Sequence, residues 1–165
     1  MTAGALLILF LVVGILLLRR SSLFSGNRNL SGKNISLLNA KGEISLSAAK
    51  KAVTDKNFLA AENMLKEILA RKPKGEELYE ARFTLGYVYL SLNRTQQALS
   101  EFLAIASSRG FHRRSPDATF IAAEIYEKKL GRRDEARALY EKYVETWPQG
   151  RLARRAASKL IGAPR

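Results

Sequence analysis

The residues that decide the fold are RFTLGYVY at 82–89, followed by ALSEF at 98–102. Their apolar side chains recur every three or four positions, which is the spacing of a helix with one buried face. Gly86 and Ala98 are small, so we expect them to face each other and let two helices approach closely. Tyr89 and Phe102 are large, and we expect them to fill the space between this helical pair and its neighbours.

The same arrangement occurs twice more. SLSAAKKA at 45–52 is followed by AENML at 61–65, and TFIAAEIY at 119–126 is followed by ARALY at 136–140. The alanines that begin the second part of each unit, at 61, 98 and 136, are 37 and 38 residues apart. A single helical pair cannot bury its apolar face alone, so units of this kind must stack.

These units resemble the tetratricopeptide repeat, whose signature is W-x2-L-G-x2-Y followed by A-x3-F and a closing Pro. The resemblance covers residues 42–148, and the middle unit matches it best. The matching residues are Leu85, Gly86, Tyr89, Ala98 and Phe102. Arg82 replaces the usual Trp and Gly110 the usual Pro. The resemblance implies an all-α solenoid of three helical pairs whose first helices line a concave, protein-binding groove.

We expect seven helices in the body of the chain, each bounded by turn residues or proline. They should span residues 45–55, 57–71, 76–92, 95–109, 116–129, 133–146 and 150–161. Gly131 should supply the left-handed residue that ends the fifth helix. The last helix carries one apolar stripe and is predicted to cap the array.

The N-terminal sequence predicts a membrane anchor. Residues 3–18 read AGALLILFLVVGILLL and contain no charged side chain. A core helix would need a polar face, and a cleaved signal peptide would need basic residues before the apolar run. We therefore expect a transmembrane anchor at residues 1–20, a flexible basic linker rich in Ser, Asn and Gly at 21–44, and the repeat domain at 45–165.

The charge distribution predicts the orientation of this anchor. Arg19 and Arg20 follow the apolar run and no basic residue precedes it, so the body is expected to lie in the cytoplasm. The layout of anchor, paired arginines and repeats resembles bacterial tetratricopeptide regulators of envelope-lipid synthesis, which implies a single-pass protein of the bacterial inner membrane. Alternatively, Tyr140, Tyr143 and Trp147-Pro148 before a basic helix resemble periplasmic envelope-assembly proteins.

The net charge of +13 is concentrated near the two ends of the chain. Such clusters favour contact with an anionic lipid surface or an acidic partner protein. The residues predicted to make this contact are Arg19, Arg20, Arg151, Arg154, Arg155 and Lys159. Nucleic acid is not favoured as a partner because no aromatic residue is interleaved with the basic residues of the last helix.

The sequence does not favour catalysis. It has no cysteine and one histidine, His112, which cannot form a metal site alone and is expected to be solvated. Glu76, Glu77 and Glu80 are expected to favour a helix N-terminus electrostatically. We therefore predict no catalytic residue, no metal and no cofactor.

Two sets of equivalent positions on the first helices are predicted to contact a partner protein. The first set is Leu46, Phe83 and Phe120, and the second, one turn later, is Lys50, Tyr87 and Glu124. Exposed aromatic residues at matching places would anchor a helical or extended peptide. The alternative is that Phe83 and Phe120 pack between repeats. A clamp for a C-terminal carboxylate is not favoured because its asparagines are lacking.

Overall fold

The computed structural model describes residues 44–108 and 112–161. These residues form seven helices: α1 (Leu46–Thr54), α2 (Phe58–Ala70), α3 (Gly75–Ser91), α4 (Thr95–Ala106), α5 (Ser115–Lys129), α6 (Arg133–Thr146) and α7 (Ala153–Ile161). Every helix lies within three residues of its predicted bounds, which confirms the all-α repeat fold. The predicted anchor and nearly all of the predicted linker lie outside the described residues. Of the helices described, none has the length and hydrophobicity needed to span a bilayer.

Local sequence explains where the helices begin and turn. Ser45 accepts a hydrogen bond from the backbone N–H of Ala48, at 3.1 Å, and so satisfies a donor that the start of α1 leaves without a helical partner. The turns inside the three helical pairs each contain one residue with positive φ, at 58° for Lys56, 57° for Asn93 and 66° for Gly131. The left-handed conformation predicted at Gly131 is therefore confirmed, and it recurs at the equivalent place in each pair.

The helices pack in chain order. The pairs α1–α2, α3–α4 and α5–α6 each form internal contacts, and α2–α3, α4–α5 and α6–α7 join successive pairs. Buried side chains form two clusters, one shared by α1 to α5 and the other by α5 to α7. Helix α7 thus covers apolar surface that α5 and α6 would otherwise leave exposed, as expected for the end of a repeat array.

Gly86 makes room for a large side chain inside the middle pair. A Cβ atom at Gly86 would lie 2.7 Å from Cζ of Phe102, so the Phe102 ring lies over the glycine. Phe102 is one helical turn beyond Ala98, and both are fully buried. Its ring occupies the space that a side chain at position 86 would need.

Arg82 replaces the tryptophan of the family signature with an ion pair. Its Nη1 donates a hydrogen bond to Glu101 Oε2 at 2.9 Å, between α3 and α4. The departure from the signature therefore keeps a link between the two helices of the pair, but the link is polar and partly exposed.

We expect Gly86→Ala to destabilise the repeat domain by about 1–3 kcal/mol, because the added methyl group must displace the enclosed Phe102 ring. The matching positions in the first repeat hold Ala49 and Leu65. Gly86→Ala combined with Phe102→Leu should therefore cost less than the sum of the single substitutions. Urea denaturation of the full chain in mild detergent, followed by circular dichroism, measures both. Strictly additive effects would show that the two residues do not oppose each other.

Candidate partner-binding surface

The first helix of each pair, together with α7, forms what we call the first-helix face: α1, α3, α5 and α7. Phe83 and Phe120 occupy equivalent places on it, but they are 6% and 1% exposed and belong to the core. Leu46 is half-buried and packs against the same core. The prediction that the two phenylalanines are exposed is therefore wrong, and the alternative, packing between repeats, applies.

Besides their buried aromatic neighbours Phe102 and Tyr140, the two rings are covered by arginines from the following repeat. The Arg114 guanidinium lies 4.5 Å from the centre of the Phe83 ring, and the Arg155 guanidinium lies 4.9 Å from the centre of the Phe120 ring. A guanidinium over an aromatic face is attracted by the ring quadrupole. Each phenylalanine is thus covered by a cation that solvent or a partner would meet first.

Tyr87 is the aromatic residue of the predicted set that remains accessible, at 43% exposed. Its ring contacts the buried rings of Phe83 and Phe102 edge to face, with centroids 5.1 Å and 5.6 Å away. Burial of the inner part of the side chain raises the pKa of Tyr87, and the Asp117 carboxylate raises it further while Arg114 opposes the shift. One side of the Tyr87 ring is therefore packed against the core, and the other side is exposed to solvent.

Glu80 is the most strongly held charge on the first-helix face. Its side chain is 4% exposed. It accepts hydrogen bonds from Lys50 Nζ at 2.6 Å and Arg113 Nη2 at 2.9 Å, and both of its oxygens accept from Arg114. The Arg114 hydrogen bonds, followed by those from Lys50, outweigh burial and lower the pKa of Glu80 to about 2. Three successive repeats therefore meet at one ionised carboxylate.

A second group of ion pairs joins α7 to α5. Arg151 donates to Asp117 at 2.9 Å, Arg155 to Glu124 at 2.7 Å, and Lys159 to Glu127 at 2.9 Å. Tyr140 on α6 also donates to Glu127, at 3.0 Å, and burial raises the pKa of Tyr140 well above its ordinary value.

The predicted polar contact residues thus have internal roles as well as exposed atoms. Lys50 holds Glu80, and Glu124 accepts from both Arg155 and Lys128. Arg154 is exposed on α7 and forms no ion pair within the part of the chain that the structure describes. Arg19 and Arg20 lie outside that part. From the sequence, Glu80 was expected only to favour the start of its own helix. Its ion pairs with Arg113 and Arg114, and that of Asp117 with Arg151, were not predicted, because each charge was considered on its own helix.

The described residues include no group of three or more His, Asp or Glu side chains placed to hold a metal ion. His112 stacks on the Tyr79 ring, with centroids 3.4 Å apart, and its backbone N–H donates to Ser115 Oγ. It is half-buried rather than freely solvated. The stacking ties the loop before α5 to α3.

We expect Glu80→Gln to destabilise the chain by about 3 kcal/mol at pH 7, because three cations lose their shared carboxylate. The folded-state pKa of Glu80, about 2, lies below its ordinary value of 4.5. The stabilisation is therefore complete above pH 4.5 and is lost as the pH falls toward 2.

The difference in unfolding free energy between wild type and Glu80→Gln should shrink over that interval, measured by urea denaturation at stepped pH values. Glu76→Gln is the matched control, since Glu76 pairs with Arg113 alone and is well exposed, and it should cost much less. A difference that stays constant down to pH 2.5 would contradict the assignment.

The comparisons with known proteins agree with this geometry. The sequence profile described as Tetratricopeptide repeat matches residues 46–110 and 83–151, which together cover α1 to α6 and the turn before α7. A search among characterised proteins finds no match to the chain. The profile covers well over half of the chain, and its two overlapping matches span α1 to α4 and part of α3 to the end of α6. The chain belongs to the tetratricopeptide repeat family.

Proposed function

We propose that this chain is a membrane-tethered scaffold that binds partner proteins through its first-helix face and acts by binding rather than by catalysis. Tetratricopeptide repeats suggest protein–protein interaction. The observation that carries the proposal for this chain is Tyr87, an exposed aromatic ring braced by two buried rings. Rigid aromatic anchors lose little conformational entropy on binding, so they often dominate the energy of an interface.

The location of Tyr87 supports this role. It lies on α3, the first helix of the middle repeat, and its electrostatic neighbours are Asp117 and Glu124 on α5, Arg114 just before α5, and Arg151 just before α7. An apolar contact is thus bordered by charges from two further repeats. A partner segment that crosses the first-helix face would bury the exposed part of the ring and meet these charges.

The tether is proposed from the sequence. Residues 3–18 are uniformly apolar and are followed by Arg19 and Arg20, an arrangement that favours an uncleaved anchor with the repeat domain in the cytoplasm. A linker of about 24 residues would have a reach of roughly 25–30 Å. The layout resembles that of bacterial inner-membrane scaffolds, so we propose that the complex assembles at that membrane. The basic residues near both ends of the chain would also favour an anionic lipid surface.

We expect Tyr87→Ala to weaken partner binding by about 2 kcal/mol or more while costing roughly 1 kcal/mol of stability, because it also removes edge-to-face contacts with two buried rings. Phe83→Ala and Phe120→Ala should instead cost about 3–5 kcal/mol of stability. Affinity capture from detergent-solubilised membranes, paired with thermal melting of the same proteins, separates the two effects. If Tyr87→Ala captures the same proteins as wild type in the same amounts, the first-helix face is not the binding surface.

Carbonate washing of bacterial membranes should leave the full-length chain in the pellet, because residues 3–18 hold it in the bilayer. A reporter that is active only in the periplasm, fused after Arg165, should be silent. An active reporter would place the repeat domain in the periplasm and favour a role in envelope assembly. Recovery of a soluble form that begins after residue 20 would refute the anchor.

A further inference from the structure

Most ion pairs on the first-helix face join an exposed cation to a less exposed carboxylate, although Lys159 and Glu127 are equally exposed. The Arg151 side chain is 73% exposed and its partner Asp117 is 18% exposed. The Arg155 side chain is 53% exposed and its partner Glu124 is 22% exposed. The same order holds around Glu80, whose partners Lys50 and Arg113 both reach solvent. At these ion pairs, a molecule that approaches the face therefore meets guanidinium and ammonium groups that are more exposed than the carboxylates they hold.

The two arginines held against α5 keep most of their hydrogen-bonding capacity. Arg151 bonds Asp117 through Nη2, and Arg155 bonds Glu124 through Nη2. A guanidinium has five N–H donors in a planar fork. Each guanidinium can thus donate hydrogen bonds to a second carboxylate from its free edge while it stays bonded to the first. The half-buried acids hold the guanidiniums in place, so that less conformational entropy is lost when a ligand binds.

We propose that the partner segment that occupies this face is acidic, with Asp or Glu side chains that engage Arg151, Arg155 and Arg113 and one apolar or aromatic residue that packs on Tyr87. This inference rests on the proposed function and names the chemistry of its partner. Paired contacts between guanidinium and carboxylate are strong and directional, and the excess positive charge of the chain adds long-range attraction.

The arrangement favours a peptide over nucleic acid. Non-specific strand binding uses a continuous basic groove with several stacking aromatics. On the first-helix face, Tyr87 is the one large aromatic side chain that is exposed among the described residues. Asp117 and Glu124 interrupt the cations and would repel closely spaced phosphates, whereas side-chain carboxylates on a peptide can be placed to avoid them.

Selection of random dodecapeptides displayed on phage against the full chain in dodecyl maltoside micelles tests the proposal. The selected peptides should be enriched in Asp and Glu around one aromatic or large aliphatic residue. They should bind Arg151→Gln several-fold more weakly, and the Arg151→Gln, Arg155→Gln double variant about tenfold more weakly. Arg137→Gln is the matched control, because Arg137 lies on α6 in an exposed pair with Glu141, and it should bind as wild type does.

Three outcomes would overturn the inference. The acidic partner is refuted if the selected peptides carry no excess of Asp and Glu, or if versions with Gln and Asn in their place bind equally well. In that case the binding face still stands, provided that Tyr87→Ala abolishes peptide capture. The face would be assigned to nucleic acid if labelled dT20 binds the chain more tightly than any selected peptide and this binding is lost in Arg151→Gln. If the wild-type chain selects no more peptide than the Tyr87→Ala variant does, the proposed function is refuted as well. Arg155→Lys, which keeps the charge over Phe120, replaces Arg155→Gln if the latter melts early.

Discussion

Glu80 joins three successive repeats of this array through one buried carboxylate. Lys50 comes from the first helical pair, Glu80 from the second, and Arg113 and Arg114 from the turn that leads into the third. Burial of an ionised carboxylate is costly unless its hydrogen bonds are satisfied, and here both oxygens are occupied. Displacement of α1 or α5 relative to α3 would remove part of the hydrogen bonding that offsets the burial of Glu80, so Glu80 constrains the stacking of all three repeats.

The core adapts to this stacking by exchanging volume between the two helices of a pair. The first pair combines Ala49 with Leu65, and the second combines Gly86 with Phe102. In the second pair, a Cβ atom at position 86 would lie 2.7 Å from the Phe102 ring. Interiors are packed densely enough that such a change must be compensated locally. The repeats therefore keep a common backbone arrangement with different side chains.

Periodicity was sufficient to predict the helices, since the apolar spacing and the turn residues are local properties. It was insufficient for Phe83 and Phe120, because their burial is a tertiary property. Each ring packs in the core and is also covered by an arginine, Arg114 or Arg155, that comes more than thirty residues later. One signal in the sequence could have indicated the ion pairs. Asp117 stands one repeat after Glu80, and Arg151 stands one repeat after Arg113. A search for opposite charges at matching positions of neighbouring repeats would have found both pairs.

The cations that join the repeats are also those that a partner would meet, so binding and stacking are linked. A carboxylate that binds the free edge of Arg151 interacts with a group whose position depends on Asp117 and on the docking of α7 against α5. Such a ligand binds the folded array and not the unfolded chain, and therefore stabilises α7 in its docked position. Conversely, loss of α7 and of the turn before it would remove Arg155 and Arg151 from the face and uncover Phe120. The capping helix thus contributes both to the end of the core and to the accessible charge of the first-helix face.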